Sequence, residues 1–245
     1  MSALDPCLAV IPARGGSKGL PGKNVRPLAG RPLIGHSLRC AASTKRLGVV
    51  VVSTDSEEIA AVARAEGGDV PFLRPPEIAR DDTPMIPVLQ HALAEMERRG
   101  DSFGSVLLLD PTSPGRLPED IERAFERLDA DPTADGIVAC SRPSFNPFWV
   151  GVVERNGVLA PAFGREGSYQ RRQDVPTFYR INGALYLWRR DFIARTTPDW
   201  RQGRHLLLEV PDERSFSIDS LHDFEVADLL IQSGTVRLPW LEPGS

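Results

Sequence analysis

The chain has 245 residues, 41% of them hydrophobic and 25% charged, with a formal net charge of −4. That length suits one domain with a sizeable core, and the acidic balance excludes a general nucleic-acid or membrane-surface binder, which would carry excess positive charge. No apolar run is long enough to span a bilayer, and the opening MSALDPCLAV lacks the basic start and apolar core of a signal peptide.

In chain order, CLAVIPA and LGVVVVSTD read as buried strands, with helical PLIGHSLRCAAS between them. EEIAAVARAEG (helix), VPFLRP (strand), MIPVLQHALAEMERRG (helix) and SVLLLDP (strand) follow, then PEDIERAFERLDA (helix) and GIVACS (strand). Near-continuous apolar strands joined by helices predict a doubly wound α/β fold, with a mainly parallel sheet covered on both faces. After about Arg142 the pattern changes. FWVGVVERNGVLAPAF predicts a hairpin turning at Asn156-Gly157, and GALYLWRR, RHLLLEV and SFSID read as further strands. The last helix is SLHDFEVADLLIQSG, with Ser220 as N-cap and Asp223 as its capping partner. A single domain over residues 1–245 is expected, with an antiparallel insertion at 142–182. Cys7, Cys40 and Cys140 are too few and too scattered for a disulfide frame or zinc site, so buried thiols in a cytoplasmic protein are expected.

The first strand opens into a loop, ARGGSKGLPGKN, with four glycines, Arg14, Lys18 and Lys23. Lysine occurs only at Lys18, Lys23 and Lys45, so two of the three fall in this loop, against 26 arginines in the whole chain. Glycines allow close approach of backbone N–H groups to a ligand, and the added cations point to a polyanion such as a nucleoside triphosphate. Neither the dinucleotide pattern G-x-G-x-x-G nor the G-x-x-x-x-G-K-[ST] phosphate loop is present; the alternative is an irregular turn with solvated lysines.

IPARGGSKGLPGKN resembles the signature loop of the acylneuraminate cytidylyltransferase family, which makes CMP-activated acidic sugars from CTP. VVSTDSEEIA, FLRPPEIARDDTP, LLLDPTSPGR, YRINGALYLW and FSIDSLHDFEVA resemble its later motifs in the same order, so the likeness runs from Leu8 to about Asp228. The resemblance implies a Rossmann-like nucleotidyltransferase fold and a homodimer in which a hairpin of one protomer approaches the other's active site. It implies that Arg14 and Lys23 hold the triphosphate, with Ala13, Gly15, Ser17 and Asn24 beside them and Arg74 at the cytosine and ribose. Lys23 would stabilise charge on the leaving pyrophosphate. Arg172 and Arg180 match basic residues near the acceptor and phosphates, and Asn182 and Tyr186 match residues that line the acceptor pocket. Singly, each arginine could instead be a solvated charge or salt bridge, and Asn182 and Tyr186 loop and core residues.

Two departures bear on chemistry. Enzymes of this family that act on sialic acid typically have glutamine where Asp110 stands, and a second aspartate near Asp219 where this chain has Leu221. Relatives that activate Kdo are similar to this chain in using one aspartate after a central strand and one opening the final motif. Asp110 and Asp219 are therefore candidate Mg²⁺ ligands and, with Arg14 and Lys23, the candidate catalytic set; the alternative is that Asp110 only turns the chain before Pro111. Gly115 in place of a bulky leucine, and Trp149 near a position where some relatives have lysine, suggest a rebuilt acceptor pocket. The reaction implied is in-line attack of an acceptor oxygen on the α-phosphorus of CTP, with pyrophosphate leaving. The acceptor is a nonulosonic or 3-deoxy-ulosonic sugar acid, or alternatively a small phosphonate such as phosphonoformate. A nucleotide-binding protein without catalysis is a further alternative, supported by Leu221. His36, His91, His205 and His222 fall in no motif.

Overall fold

The computed structural model describes residues 2–16, 18–163, 169, 171–195, 197 and 199–242. β1 (Cys7–Pro12) begins the sheet, and a small hairpin of β2 (Pro27–Leu28) and β3 (Arg31–Pro32) leads into α1 (Leu33–Ala42). β4 (Leu47–Ser53), α2 (Glu57–Ala65), α3 (Met85–Glu97), β5 (Ser105–Leu108), α4 (Pro118–Asp129) and β6 (Gly136–Ser141) follow. Next come α5 (Pro147–Val150), β7 (Val152–Arg155), β8 (Val158–Pro161), β9 (Arg180–Arg189), α6 (Arg190–Arg195), β10 (His205–Glu209) and α7 (Leu221–Gln232).

The six-stranded sheet runs β10-β6-β9-β5-β1-β4. β1 pairs parallel with β4 and β5, and β10 parallel with β6; β9 lies antiparallel between β5 and β6. The apolar strands are apolar because both faces are covered. Along β1, Cys7, Ala9 and Ile11 face a core shared with α1, α2, α4 and α7, while Leu8 and Val10 face α3 and α6. The thiols of Cys7 and Cys40 are pushed up to about 12 and that of Cys140 to about 11 by burial, which leaves them protonated and unreactive.

Most predicted elements form, and two strands do not. The stretch around VPFLRP makes only isolated bridges, Asp69 to Val51 of β4 and Leu73 to Thr54 just past it, because Pro71 and Pro75 lack the N–H groups a continued ladder needs. SFSID is an extended segment outside the ladders, joined to the turn beyond β5 by the backbone bond from Ile218 N to Thr112 O at 2.8 Å. The hairpin turns at Asn156 (φ 53°) and Gly157 (φ 80°), as a tight primed turn requires. Its expected first residues instead form the single turn α5. β9 bends at Gly183 (φ 72°), where the Asn182 amide donates to Ser215 Oγ and its oxygen accepts from Ala184 N.

Two of the four histidines are partners of tryptophans. Trp240 donates its indole N–H to His36 Nδ1 at 3.1 Å, so Nε2–H of His36 donates to Leu28 O at 2.9 Å. Trp188 donates to His205 Nε2 at 3.0 Å, and Nδ1–H donates to Gly203 O at 2.8 Å. Both rings are held neutral, with burial pulling their pKa below the usual 6.5; His91, in α3, is lowered for the same reason. Below about pH 6.5 the unfolded chain takes up protons that the folded chain refuses, so stability should fall as pH drops through that value. Urea midpoints measured at pH 7.5 and 5.5 should therefore decrease, and the decrease should be smaller when His36 and His205 are replaced by glutamine.

Candidate active site

The site lies where the sheet's connections reverse. β1 leads through α1 to β4 on one side, and β5 joins β1 on the other, so a crevice opens beyond the carboxyl ends of β1 and β5. Three segments meet there. The first is the glycine loop. Ala13 N donates to Ser53 O at 2.9 Å, Gly15 N to Asp55 Oδ1 at 2.9 Å, and the buried Asn24 amide to Arg14 O at 3.2 Å. Gly22 takes a left-handed φ of 67° and starts the single 3₁₀ turn Lys23–Val25 that carries the lysine.

The second segment follows β5. Asp110 makes an aspartate turn, its Oδ1 accepting from Thr112 N (3.0 Å) and Thr112 Oγ1 (2.9 Å). Behind it sits Arg116, with no exposed surface. Its guanidinium donates to Asp110 O, to Ala184 O at 2.6 Å and to Ser37 Oγ at 2.7 Å, joining the turn to β9 and α1. Gly115 has a packing reason of its own: a Cβ there would lie 2.2 Å from the carbonyl oxygen of Arg214. Its small size is thus set by the backbone crossing it, not by an acceptor.

The third segment, 215–219, docks on the other two. Arg214 forks onto Asp120 (2.6 and 3.1 Å) at the start of α4. Burial raises the Asp120 carboxyl, but its bonds from Arg214 outweigh this and hold it below the usual range. Gly19 allows the glycine loop to touch the segment, since a Cβ there would lie 2.3 Å from Asp219 O. Lys23 Nζ donates to Ile218 O at 2.9 Å and pairs with Asp219 Oδ1 at 3.0 Å. Ser217 Oγ donates to Asp219 Oδ2 at 3.2 Å. The cavity-facing neighbour of Asp219 is therefore Ser217; Leu221 begins α7, 46% exposed and outside the cavity.

Together the segments enclose an open cavity of about 500 Å³. Arg14, Lys18, Lys23 and Arg74 line it, as do Asp81, Asp110 and Asp219, with Asn24, Thr112 and Ser217 between them. Arg74 is buried, donates to Ser53 O at 2.6 Å, and has an Nε with no partner among the described residues. Burial lowers its pKa, yet an arginine remains charged. Asp81 accepts from Arg14 and pairs with Lys18. Among the described residues, no histidine or cysteine lines the cavity.

Of the candidate residues, Arg14, Lys23, Asn24, Arg74, Asp110 and Asp219 come together here. Ala13 is buried behind the loop, Gly15 lines a small adjoining crevice, and Ser17 falls outside the described residues. The four candidate acceptor residues do not line the cavity. Arg180 pairs with Asp212 (3.0 Å) and lines a second cavity of about 330 Å³, which shares Ser217 with the first. Arg172 is exposed on the segment between β8 and β9. Asn182 serves the bend of β9, and Tyr186 stacks on Trp188 at 5.3 Å, its phenol pushed up to about 12 by burial, then by the nearby Asp110 charge. Asp55, Asp81, Arg116 and Ser217 were not legible as site residues: each is a common polar residue whose partners lie far along the chain.

A family profile described as cytidylyltransferase matches residues 8–211. The chain is 34% identical over 236 residues to a post-translational flagellin modification protein B of Campylobacter coli, covering 96% of this chain and 98% of that one. It is 35% identical over 231 residues to a CMP-N,N'-diacetyllegionaminic acid synthase of Legionella pneumophila, covering 92% and 96%. Against an N-acylneuraminate cytidylyltransferase of Escherichia coli the identity is 31%, over 90% of this chain and 51% of that protein. A solved CMP:2-keto-3-deoxy-manno-octonic acid synthetase complexed with CTP shares the fold, with a TM-score of 0.70 at 19% identity, covering 94% of this chain and all of that one.

Replacing Arg116 with methionine keeps most of its volume but leaves two carbonyls and a hydroxyl without their donor. Urea denaturation should register a loss of about 3 kcal/mol or more, since each orphaned buried group costs about 1–3 kcal/mol.

Proposed function

The chain belongs to the cytidylyltransferase family, and from that premise we propose that it transfers CMP from CTP to a nonulosonic sugar acid, releasing pyrophosphate. The observation that carries this reading is the cavity itself: four cations and three carboxylates gathered from distant segments of the chain at the sheet's switch point. The acceptor class rests on the relatives at 34% and 35% identity that cover 91–96% of this chain, two of which are named CMP-N,N'-diacetyllegionaminic acid synthase.

Arg14, Lys18 and Lys23, with the N–H groups of the glycine loop, bind the triphosphate as a chelating cluster. Lys23 is 14% exposed and already oriented by Ile218 O, so it offers a fixed charge to the departing pyrophosphate without reorganising. Arg74 is the proposed donor to the ribose or base, since it lines the cavity and its buried guanidinium has an Nε without a partner among the described residues. Asp110 and Asp219 are the residues that would hold Mg²⁺. The donor set fits: two carboxylates, no imidazole or thiol in the lining, and phosphate oxygens to complete a shell of hard ligands. When bound, the ion neutralises charge on the phosphates around the reacting phosphorus. Binding both partners in line supplies the rest of the rate by orientation, with no covalent enzyme intermediate.

The adjoining cavity beside Arg180 is the proposed acceptor side, because Ser217 lines both cavities. We further propose a homodimer made through residues 142–182, where Phe148, Trp149, Val152, Val158 and Leu159 leave an apolar surface exposed. Exposed Arg172 would then serve a partner's acceptor site. The setting proposed is the cytoplasm, in keeping with three unpaired, buried cysteines; among the described residues, no helix is long and apolar enough to cross a membrane.

Pyrophosphate release should be measured with CTP, Mg²⁺ and a panel of N,N'-diacetyllegionaminic acid, N-acetylneuraminic acid, Kdo and phosphonoformate. Turnover with the nonulosonic acids supports the reading; turnover with phosphonoformate alone, or none, ends it. Asp110→Asn and Asp219→Asn should each lower kcat on the order of a hundredfold or more while the circular dichroism spectrum is kept. Arg180→Ala should raise KM for the acceptor and leave KM for CTP within about twofold.

A further inference from the structure

Two of the four cations that line the cavity among the described residues, Arg14 and Lys18, are paired with a carboxylate to which the proposed reaction assigns no role. Asp81 accepts a hydrogen bond from Arg14 Nη1 through one oxygen, while its other oxygen pairs with Lys18 Nζ at 2.5 Å. It comes from the loop between the 3₁₀ turn Pro76–Ile78 and α3, more than sixty residues along the chain from its partners, and it lines the same cavity. The neighbouring acid behaves differently: Asp82 is 72% exposed, pairs with Arg80 at 3.1 Å, and does not line the cavity. Lys23 also pairs with a carboxylate, but that of Asp219, a proposed metal ligand, while Arg74 donates to a carbonyl. The hydrogen bonds from Lys18 and Arg14 hold the Asp81 carboxyl below the usual carboxylate range.

We propose that Asp81 is a built-in competitor for the outer phosphates: it occupies Arg14 and Lys18 in the empty site and must leave them when a polyphosphate binds. The inference rests on the nucleotide site proposed above. A phosphate group cannot share Arg14 and Lys18 with an adjacent carboxylate without like-charge repulsion, so each polyphosphate exchanges one set of ion pairs for another. The consequence is a site that holds CTP less tightly than its cations would allow and releases pyrophosphate more readily, because Asp81 returns to the vacated pair. A nucleoside monophosphate, with no outer phosphates to reach these two cations, is indifferent to Asp81. The role is that of a positioning residue whose charge sets affinity; no bond is made or broken by it.

The test is calorimetric titration of the full-length protein with CTP, inorganic pyrophosphate and CMP in Mg²⁺ buffer, for wild type, Asp81→Asn, Asp81→Ser and Asp82→Asn. Removing two partly exposed ion pairs should tighten CTP and pyrophosphate roughly tenfold in both Asp81 variants. CMP binding should change by less than about twofold, as should all three ligands with Asp82→Asn. The inhibition constant of pyrophosphate in steady-state assays should fall in parallel. Unchanged or weakened polyphosphate binding in the Asp81 variants overturns the inference while leaving the site reading intact. A wild-type protein that binds neither CTP nor pyrophosphate overturns both.

Discussion

Everything at the site depends on three pieces of chain, far apart in sequence, being fastened together through backbone groups. Lys23 reaches the carbonyl of Ile218, the amide of Ile218 reaches the carbonyl of Thr112, and Arg116 reaches the carbonyl of Asp110. Carbonyl and amide partners fix where the chain runs, whichever side chains decorate it. The acids and cations of the cavity inherit their positions from that arrangement. Gly19 and Gly115 belong to it as well, since any side chain there would strike the backbone of residues 219 or 214.

The interior of this junction is unusually polar for a sheet-based core. Arg116 is wholly buried among carbonyls and a serine hydroxyl, and Asp120 is nearly so against Arg214. Burial works against both charges, and hydrogen bonds compensate for it. Such groups confer orientation more than net stability: an apolar residue of the same size would fill the space without dictating which way the Asp110 turn faces. The cavity above them is close to balanced, with Arg14, Lys18, Lys23 and Arg74 set against Asp81, Asp110 and Asp219. A balanced empty site can keep its cations together without self-repulsion until a polyanion arrives.

The arm between β6 and β9 follows a different logic. Its hairpin is turned by Asn156 and Gly157 alone, its side chains are largely exposed, and it carries apolar residues where a lone hairpin would carry polar ones. Those features suit a surface that is completed by another molecule. The core sheet, whose faces are both filled by helices, has no such need.

The sequence by itself determined the fold class, the glycine loop and the cap of α7. Those features are written in short-range patterns: continuous apolar runs such as β1, glycines that free the backbone, and a serine three residues before an aspartate. Resemblance added Arg14, Lys23, Asn24, Arg74, Asp110 and Asp219, which the folded chain brings to one cavity. Sequence placed strands at VPFLRP and SFSID because their composition suits a strand, but whether an extended segment joins a ladder depends on neighbours that it alone cannot name. Only the tertiary structure decided that Asn182 and Tyr186 serve the packing of β9, that Ser217 is the cavity-side neighbour of Asp219, and that Asp81 sits on Arg14 and Lys18. The reason is physical: a charge or amide is a site residue by virtue of what lies within about 3 Å of it, and here those partners come from the other end of the chain.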